Sequence, residues 1–127
     1  MLLNDIGGYL ATYSVGTVGT SIFLGDMPET PDSLVALFEY AGDPPDDTHD
    51  GKHYENPGLQ VRVRGTSYAA ARAKIAAVED LLHTLANQSF SGTNYVFIRA
   101  VQSPFSLGRD QKKRIELVQN FIVTKAR

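Results

Sequence analysis

The stretch from Tyr54 to Leu85 reads YENPGLQVRVRGTSYAAARAKIAAVEDLLHTL and predicts a strand followed by a helix. From Leu59 to Arg64 apolar and polar side chains alternate, and a period of two is typical of a strand with one buried face. The opposite face would carry one glutamine and two arginines. Proline and glycine favour chain reversal, so a turn is predicted at residues 56–58, just before this strand.

The helix is predicted to begin after Gly65, where Thr66 or Ser67 can accept a hydrogen bond from the free amides of the first turn. Apolar side chains then recur at spacings of three and four, which gives one continuous stripe. The stripe consists of Tyr68, Ala71, Ile75, Val78, Leu82 and Leu85. Alanines beside it would let the helix lie close to a sheet.

The rest of the chain predicts a second helix and more strands. A helical period runs from the N-terminus to about Tyr13, and further strands are predicted at 21–24, 34–40, 95–102 and 114–124. The last two are expected to pair as an antiparallel hairpin across the polar loop 103–113. The expected fold is therefore α+β: a mostly antiparallel sheet of five or six strands, with two helices packed on it. Residues 1–127 are expected to form one domain.

Composition excludes several classes of protein. With 43% hydrophobic and 20% charged residues, the chain is typical of globular and not disordered proteins. The absence of cysteine excludes a disulfide scaffold, thiolate metal sites and a cysteine nucleophile. The uncharged span 6–25 holds five glycines and five serines or threonines, too many for a bilayer core. We therefore expect a soluble protein that is made in the cytoplasm.

Charge is unevenly distributed along the chain. Residues 1–51 carry nine acidic and no basic side chains, whereas residues 52–127 carry twelve basic and five acidic ones. The two halves could neutralise each other inside the fold. Alternatively, acidic and basic surfaces lie on opposite flanks, so that copies attract head to tail and close into a ring.

The polar segment 42–55 is predicted to be a long loop. Its candidate metal ligands are Asp43, Asp46, Asp47, His49, Asp50, His53 and Glu55. No helix would hold the histidines on one face and no HExxH pattern is present. The loop could bind a metal, be solvated, or be ordered by a partner. No catalytic residue, cofactor or metal site is predicted, and the chain is not expected to be an enzyme.

A second polar cluster, Arg109, Lys112, Lys113 and Arg114, lies near the tip of the predicted C-terminal hairpin. It could be a solubilising turn, a contact with another subunit or partner, or a weak, salt-dependent contact with DNA. The arginine face of the central strand, with Arg62 and Arg64, is a candidate for subunit contact or for a lumen lining.

Three segments of the chain resemble the minor capsid and tail terminator proteins of long-tailed bacteriophages. The first is PGLQVRVRG at 57–65, followed by Tyr68 and the alanine-rich helix. The second is FLGDMP at 23–28, with Pro31 and Asp32 just after it. The third comprises PFSLGRD at 104–110 and NFIV at 120–123. The resemblance covers nearly the whole chain and supplies no catalytic positions.

The resemblance implies a structural virion protein. Such proteins form a ring, commonly of six copies, on the head-proximal end of the tail tube, where they stop tube polymerisation and join the tail to the head connector. The expected partners are other copies of this chain, the tube protein and a head-completion or connector protein. DNA would only pass through the lumen, and no membrane is involved. The alternatives are a neck or head-completion (minor capsid) role and, from another class, a small metal-dependent enzyme that uses the 42–55 loop.

Interface residues are predicted from the two projecting polar segments and the arginine face of the strand. They are Asp46, Asp47, His49, Asp50, His53, Arg62, Arg64, Arg109, Lys112 and Lys113.

Overall fold

A computed structural model describes residues 2–47 and 53–126, which form two helices and seven strands. The helices are α1 (Leu2–Thr12) and α2 (Tyr68–Leu82). The strands are β1 (Ile22–Leu24), β2 (Leu34–Asp47), β3 (His53–Gly65), β4 (Leu85–Phe90), β5 (Thr93–Ala100), β6 (Phe105–Arg109) and β7 (Ile115–Ala126). Both helices were predicted, although Leu85 lies in β4 and not on the helix.

All seven strands belong to one strongly curled sheet in the order β1-β2-β3-β7-β5-β4, and β6 also pairs with β7. The α+β class is confirmed. The prediction of a mostly antiparallel sheet of five or six strands needs correction, because the sheet is mixed. The segment 25–33 carries the chain back along the sheet, so β1 and β2 run parallel, with Ile22 opposite Val35. The described pairings among the other strands are antiparallel.

Two strands escaped prediction because their sequences are typical of loops. β4 is rich in asparagine, glutamine and serine, and β6 follows Pro104 and contains Gly108. Each is held by the next strand along the chain, β4 by β5 and β6 by β7. The predicted pairing of β5 with β7 is confirmed, with Ile98 opposite Val123.

Both helices pack on one face of the sheet, and the core lies between them and the strands. α2 begins at the N-cap Ser67, whose hydroxyl accepts a hydrogen bond from the Ala70 amide. The buried helix residues are Ala71, Ile75, Val78 and Leu82 on α2 and Leu2, Leu3, Ile6 and Leu10 on α1. Leu59, Val61 and Val63 oppose them from β3, as the alternation predicted.

The segments 42–55 and 56–58 differ from their predictions. β2 continues to Asp47 and β3 starts at His53, so most of the predicted loop is a two-stranded extension of the sheet. The predicted turn at 56–58 is wrong, because these residues lie inside β3. A bulge between Tyr40 and Asp43 adds one residue to β2 opposite Pro57. We call Ala41–Asp47 together with His53–Asn56 the β2–β3 extension.

Glycine at position 42 is a requirement of this bulge. A Cβ there would lie 2.0 Å from the Asn56 carbonyl oxygen and 2.6 Å from the Gly58 nitrogen. Only glycine lets the two backbones approach so closely.

Candidate interaction surfaces

The face of the sheet that points away from the helices, here called the outer face, carries a polar ladder. The Arg62 guanidinium lies 5.5 Å from the centre of the Phe38 ring and donates to Gln60 Oε1 at 2.9 Å. Gln60 Nε2 in turn donates to Asn120 Oδ1 at 3.0 Å. Arg62 is half-buried, so the ladder orients it and leaves part of its side chain accessible. A contact role for this face remains a prediction.

Tyr40 joins three strands on the same face. Its hydroxyl donates to the Phe121 carbonyl oxygen at 3.0 Å, and its ring lies across Gly58 on the intervening strand. A Cβ at Gly58 would lie 2.6 Å from the ring carbons. Burial, and after it the Asp43 carboxylate, raise the pKa of Tyr40 while Arg99 lowers it, so both charged groups are near its hydroxyl.

Large apolar side chains are exposed on β5, on β6 and between these strands. Among the described residues, seven large hydrophobic side chains are exposed, and four of them fall within 97–107. These four, which we call the β5–β6 strip, are Phe97, Val101, Phe105 and Leu107, with exposed fractions of 37%, 50%, 43% and 49%. Arg99 on β5 is also exposed and lies between Phe97 and Val101 in the sequence. Clustered exposed apolar groups are typical of protein interaction sites.

Arg64 is used inside the chain. It is 5% exposed, and its guanidinium donates to four carbonyl oxygens of the segment 28–32. The distances are 2.7 Å to Pro28, 3.2 Å to Glu29, 2.6 Å to Pro31 and 3.3 Å to Asp32. These bonds fix an irregular segment against β3. An interface role for Arg64 remains a prediction, and its side chain has a structural role already.

Arg114 ties the same segment to the start of β7. Its guanidinium donates to Asp110 Oδ2 at 2.8 Å, to the Glu29 carbonyl at 2.6 Å and to Asp32 Oδ1 at 3.2 Å. Lys112 Nζ lies 2.8 Å from Glu29 Oε1. Acids of the first half of the chain are thus neutralised by bases of the second half, which supports the first explanation of the uneven charge for these groups.

The turn 109–114 is ordered by its own side chains. Asp110 Oδ1 accepts from the amides of Lys112 and Arg114 at 3.0 and 2.8 Å, and Arg109 donates to the Lys113 carbonyl at 2.7 Å. Desolvation of Asp110 opposes ionisation, but the hydrogen bonds from Arg114 and Lys112 lower its pKa below the ordinary value. Arg109, Lys112 and Lys113 are exposed on this rigid turn, where they were predicted to project.

The β2–β3 extension presents exposed acids. Asp43 and Asp46 are exposed, and Asn56 donates to Asp46 Oδ2 and to the Pro44 carbonyl, both at 2.9 Å. A crevice of about 180 Å³ opens here between Pro45, Pro57, Asp43 and Glu55. His53 is exposed, and Asp47 pairs with it through the backbone. The predicted site residues His49 and Asp50 lie outside the described residues.

The alternative of a metal-dependent enzyme needs a group of metal ligands. Among residues 2–47 and 53–126, no group of three potential ligands is placed to hold a metal ion. In that same part of the chain, neither helix is long and apolar enough to cross a membrane.

The exposed strip and Arg99 within it were not among the residues predicted from the sequence. A signal was present: in the predicted strand YVFIRAVQ, positions 97, 99 and 101 share one face, and two of these three residues are apolar. The prediction of a strand there did not separate its two faces.

The comparisons with known proteins agree with this architecture. A sequence model of the family described as "Bacteriophage tail terminator protein" matches residues 9–127. No curated protein matches the chain. A chain in the solved structure of the virion of a native gene transfer agent (GTA) particle superposes with a TM-score of 0.56 at 19% identity, covering 86% of this chain and 81% of that one. At that identity the likeness shows a shared fold. Because the family match spans nearly all of its length, the chain belongs to the bacteriophage tail terminator family and is a structural, tail-related protein of the virion.

Proposed function

We propose that this protein forms a ring, with six copies as the expected number, that caps the head-proximal end of the tail tube. In this position it ends tube polymerisation and joins the tail to the head-completion or connector protein. The observation that carries the proposal is the family match over residues 9–127. The role is structural and not enzymatic, and it needs no cofactor.

The sheet edges are compatible with a terminating role. A growing assembly offers unpaired strand edges, and a cap must cover them without offering an equivalent edge onward. At one end of the sheet β1 has only three residues. At the other end β4 contains Asn87 with a φ of 53°, which interrupts the extended backbone that strand addition requires. The short β1 and the interrupted β4 each limit the addition of a further strand to the sheet of the capping protein.

The contacts with partners are assigned to projecting surfaces. The tip of the β2–β3 extension, with Asp46 and His53, and the turn 109–113 supply the contacts with the tube protein and the connector. The outer face with Arg62 contacts either a neighbouring copy or the lumen through which DNA passes. The partly accessible side chain of Arg62 and the exposed positions of Asp46, His53, Arg109, Lys112 and Lys113 support this assignment.

Deletion of the gene from its phage tests the proposal directly. We expect filled heads without tails, together with unattached tails of irregular or excessive length, as measured in negative-stain images. Complementation by the wild-type gene should restore a narrow length distribution. Unattached tails of normal length in the mutant would instead favour the neck or head-completion role.

The ring itself is tested by particle mass. Light scattering and negative-stain images of the purified protein, alone and with tubes from the deletion mutant, should show rings or capped tube ends. Protein that stays monomeric and leaves tube ends bare would contradict the proposal.

A further inference from the structure

We infer that neighbouring copies meet head to tail, with the β5–β6 strip and Arg99 of one copy against the acidic β2–β3 extension of the next. This inference rests on the proposed ring and names the two surfaces that build it.

The strip is an apolar surface that lacks cover from the described part of its own chain. Both helices lie on the opposite face of the sheet, and the register places Phe97, Arg99 and Phe105 opposite Thr124, Ile122 and Val118 on the outer face. Four clustered large side chains that are 37% to 50% exposed are expected to be covered by a partner in the assembled state. Aromatic residues and arginine, here Phe97, Phe105 and Arg99, are enriched at protein–protein interfaces.

The β2–β3 extension has the complementary charge. Asp43 is exposed and forms no salt bridge with another described residue. Asp46 accepts a hydrogen bond from the neutral amide of Asn56. Arg99 is likewise exposed and has no salt bridge within the described residues. Acids and cation are therefore both available for contact between copies.

The crevice in the extension fits an arginine side chain. Its walls include Pro45 and Pro57, which offer apolar surface to an aliphatic stem, and Asp43 and Glu55 lie beside them. Arginine side chains bury their stems along apolar surface while the guanidinium meets carboxylates. Because Glu55 already pairs with Lys125 at 3.4 Å, Asp43 is the expected acceptor for Arg99.

The contact must be heterologous. A two-fold contact, which could also pair Arg99 of each copy with Asp43 of the other, ends at a dimer, whereas the proposed ring needs a contact that repeats. Every copy carries both surfaces, so a head-to-tail contact repeats and closes into a ring when the rotation permits. In a single copy Asp43 and Arg99 both lie near the Tyr40 hydroxyl and form no ion pair. The test must therefore separate contacts within a copy from contacts between copies.

Mixing two charge-reversal variants distinguishes contacts within a copy from contacts between copies. We expect Asp43→Arg and Arg99→Glu each to reduce ring formation or tube capping at least tenfold when present alone. An equimolar mixture should recover assembly, because alternating copies place the new cation of one variant against the new carboxylate of the other. Asp80→Arg, a charge reversal at an exposed position of α2 on the other face of the sheet, is the matched control and should assemble like the wild type. Particle mass and counts of capped tube ends are the readouts.

The outcomes separate this inference from the proposed function. Wild-type protein that forms no ring, alone or on tubes, contradicts the proposed function. Wild-type rings together with unimpaired single variants, or a mixture that fails to recover, overturn only the pairing of these two surfaces. Thermal unfolding of each variant shows whether it folds. If a reversal unfolds the protein, the neutral pair Asp43→Asn and Arg99→Gln replaces it, each expected to weaken assembly without recovery on mixing.

Discussion

Arg64 is the residue whose substitution separates a structural role from an interface role. Its guanidinium donates four hydrogen bonds of 2.6 to 3.3 Å to the carbonyls of segment 28–32, and the residue is 5% exposed. Replacement by methionine keeps the apolar stem and removes all four bonds. Hydrogen bonds to a charged group contribute about 1.5 to 3 kcal/mol each. Since most of the segment is exposed, water takes over part of the lost bonding, and we expect a net loss of about 3 kcal/mol in the free energy of unfolding.

Urea unfolding followed by circular dichroism measures this loss. With a dependence of about 1 to 3 kcal/mol per molar urea, the midpoint of Arg64→Met should fall by roughly 1 to 3 M. Arg64→Lys should recover only part of the loss, because one ammonium group cannot reproduce the planar fork that reaches several carbonyls. Arg109→Met, at an exposed position, should change stability by no more than about 0.5 kcal/mol. An Arg64→Met protein as stable as this control would refute the structural role and return Arg64 to the predicted interface.

Two further predictions concern stability. The hydrogen bonds that lower the pKa of Asp110 stabilise the fold above the ordinary aspartate pKa of 3.8 and are lost as the pH falls through the lower folded value. The urea midpoint of the wild type should therefore drop more between pH 6 and pH 3 than that of Asp110→Asn. Gly58→Ala should cost about 1 to 3 kcal/mol by displacing the Tyr40 ring. Adding Tyr40→Ala to that variant should cost less than it does in the wild type, and purely additive losses would contradict the contact.

A local sequence pattern predicts a helix or a strand when its buried residues recur at the spacing typical of that helix or strand. Leu59, Val61 and Val63 alternate along β3, and the stripe of α2 has helical spacing, so both elements could be predicted without knowledge of their neighbours. β4 and β6 have no such pattern, because edge strands carry exposed side chains and depend on β5 and β7 for their backbone hydrogen bonds. Their detection requires the tertiary pairing itself.

The candidate site shows the same division. Arg109, Lys112 and Lys113 were predicted to project because they are clustered in a polar turn, and they are exposed. Arg64 has the same alternation as Arg62, yet Arg64 is buried because segment 28–32 folds over it. That segment lies more than thirty residues away in sequence, and no pattern around Arg64 indicates its arrival. Period-two alternation thus gives the face of a side chain without showing what covers it.

The uneven charge of the chain is therefore a poor measure of its surface. Glu29 and Asp32 are paired with Lys112 and Arg114, so part of the acidic first half is neutralised within the fold. Asp43 and Asp46 remain exposed together on the β2–β3 extension. Subtraction of the internal pairs leaves a small acidic surface beside a crevice and a separate apolar strip with one arginine. Such charges set register and partner choice, while burial of the apolar strip supplies the free energy of association.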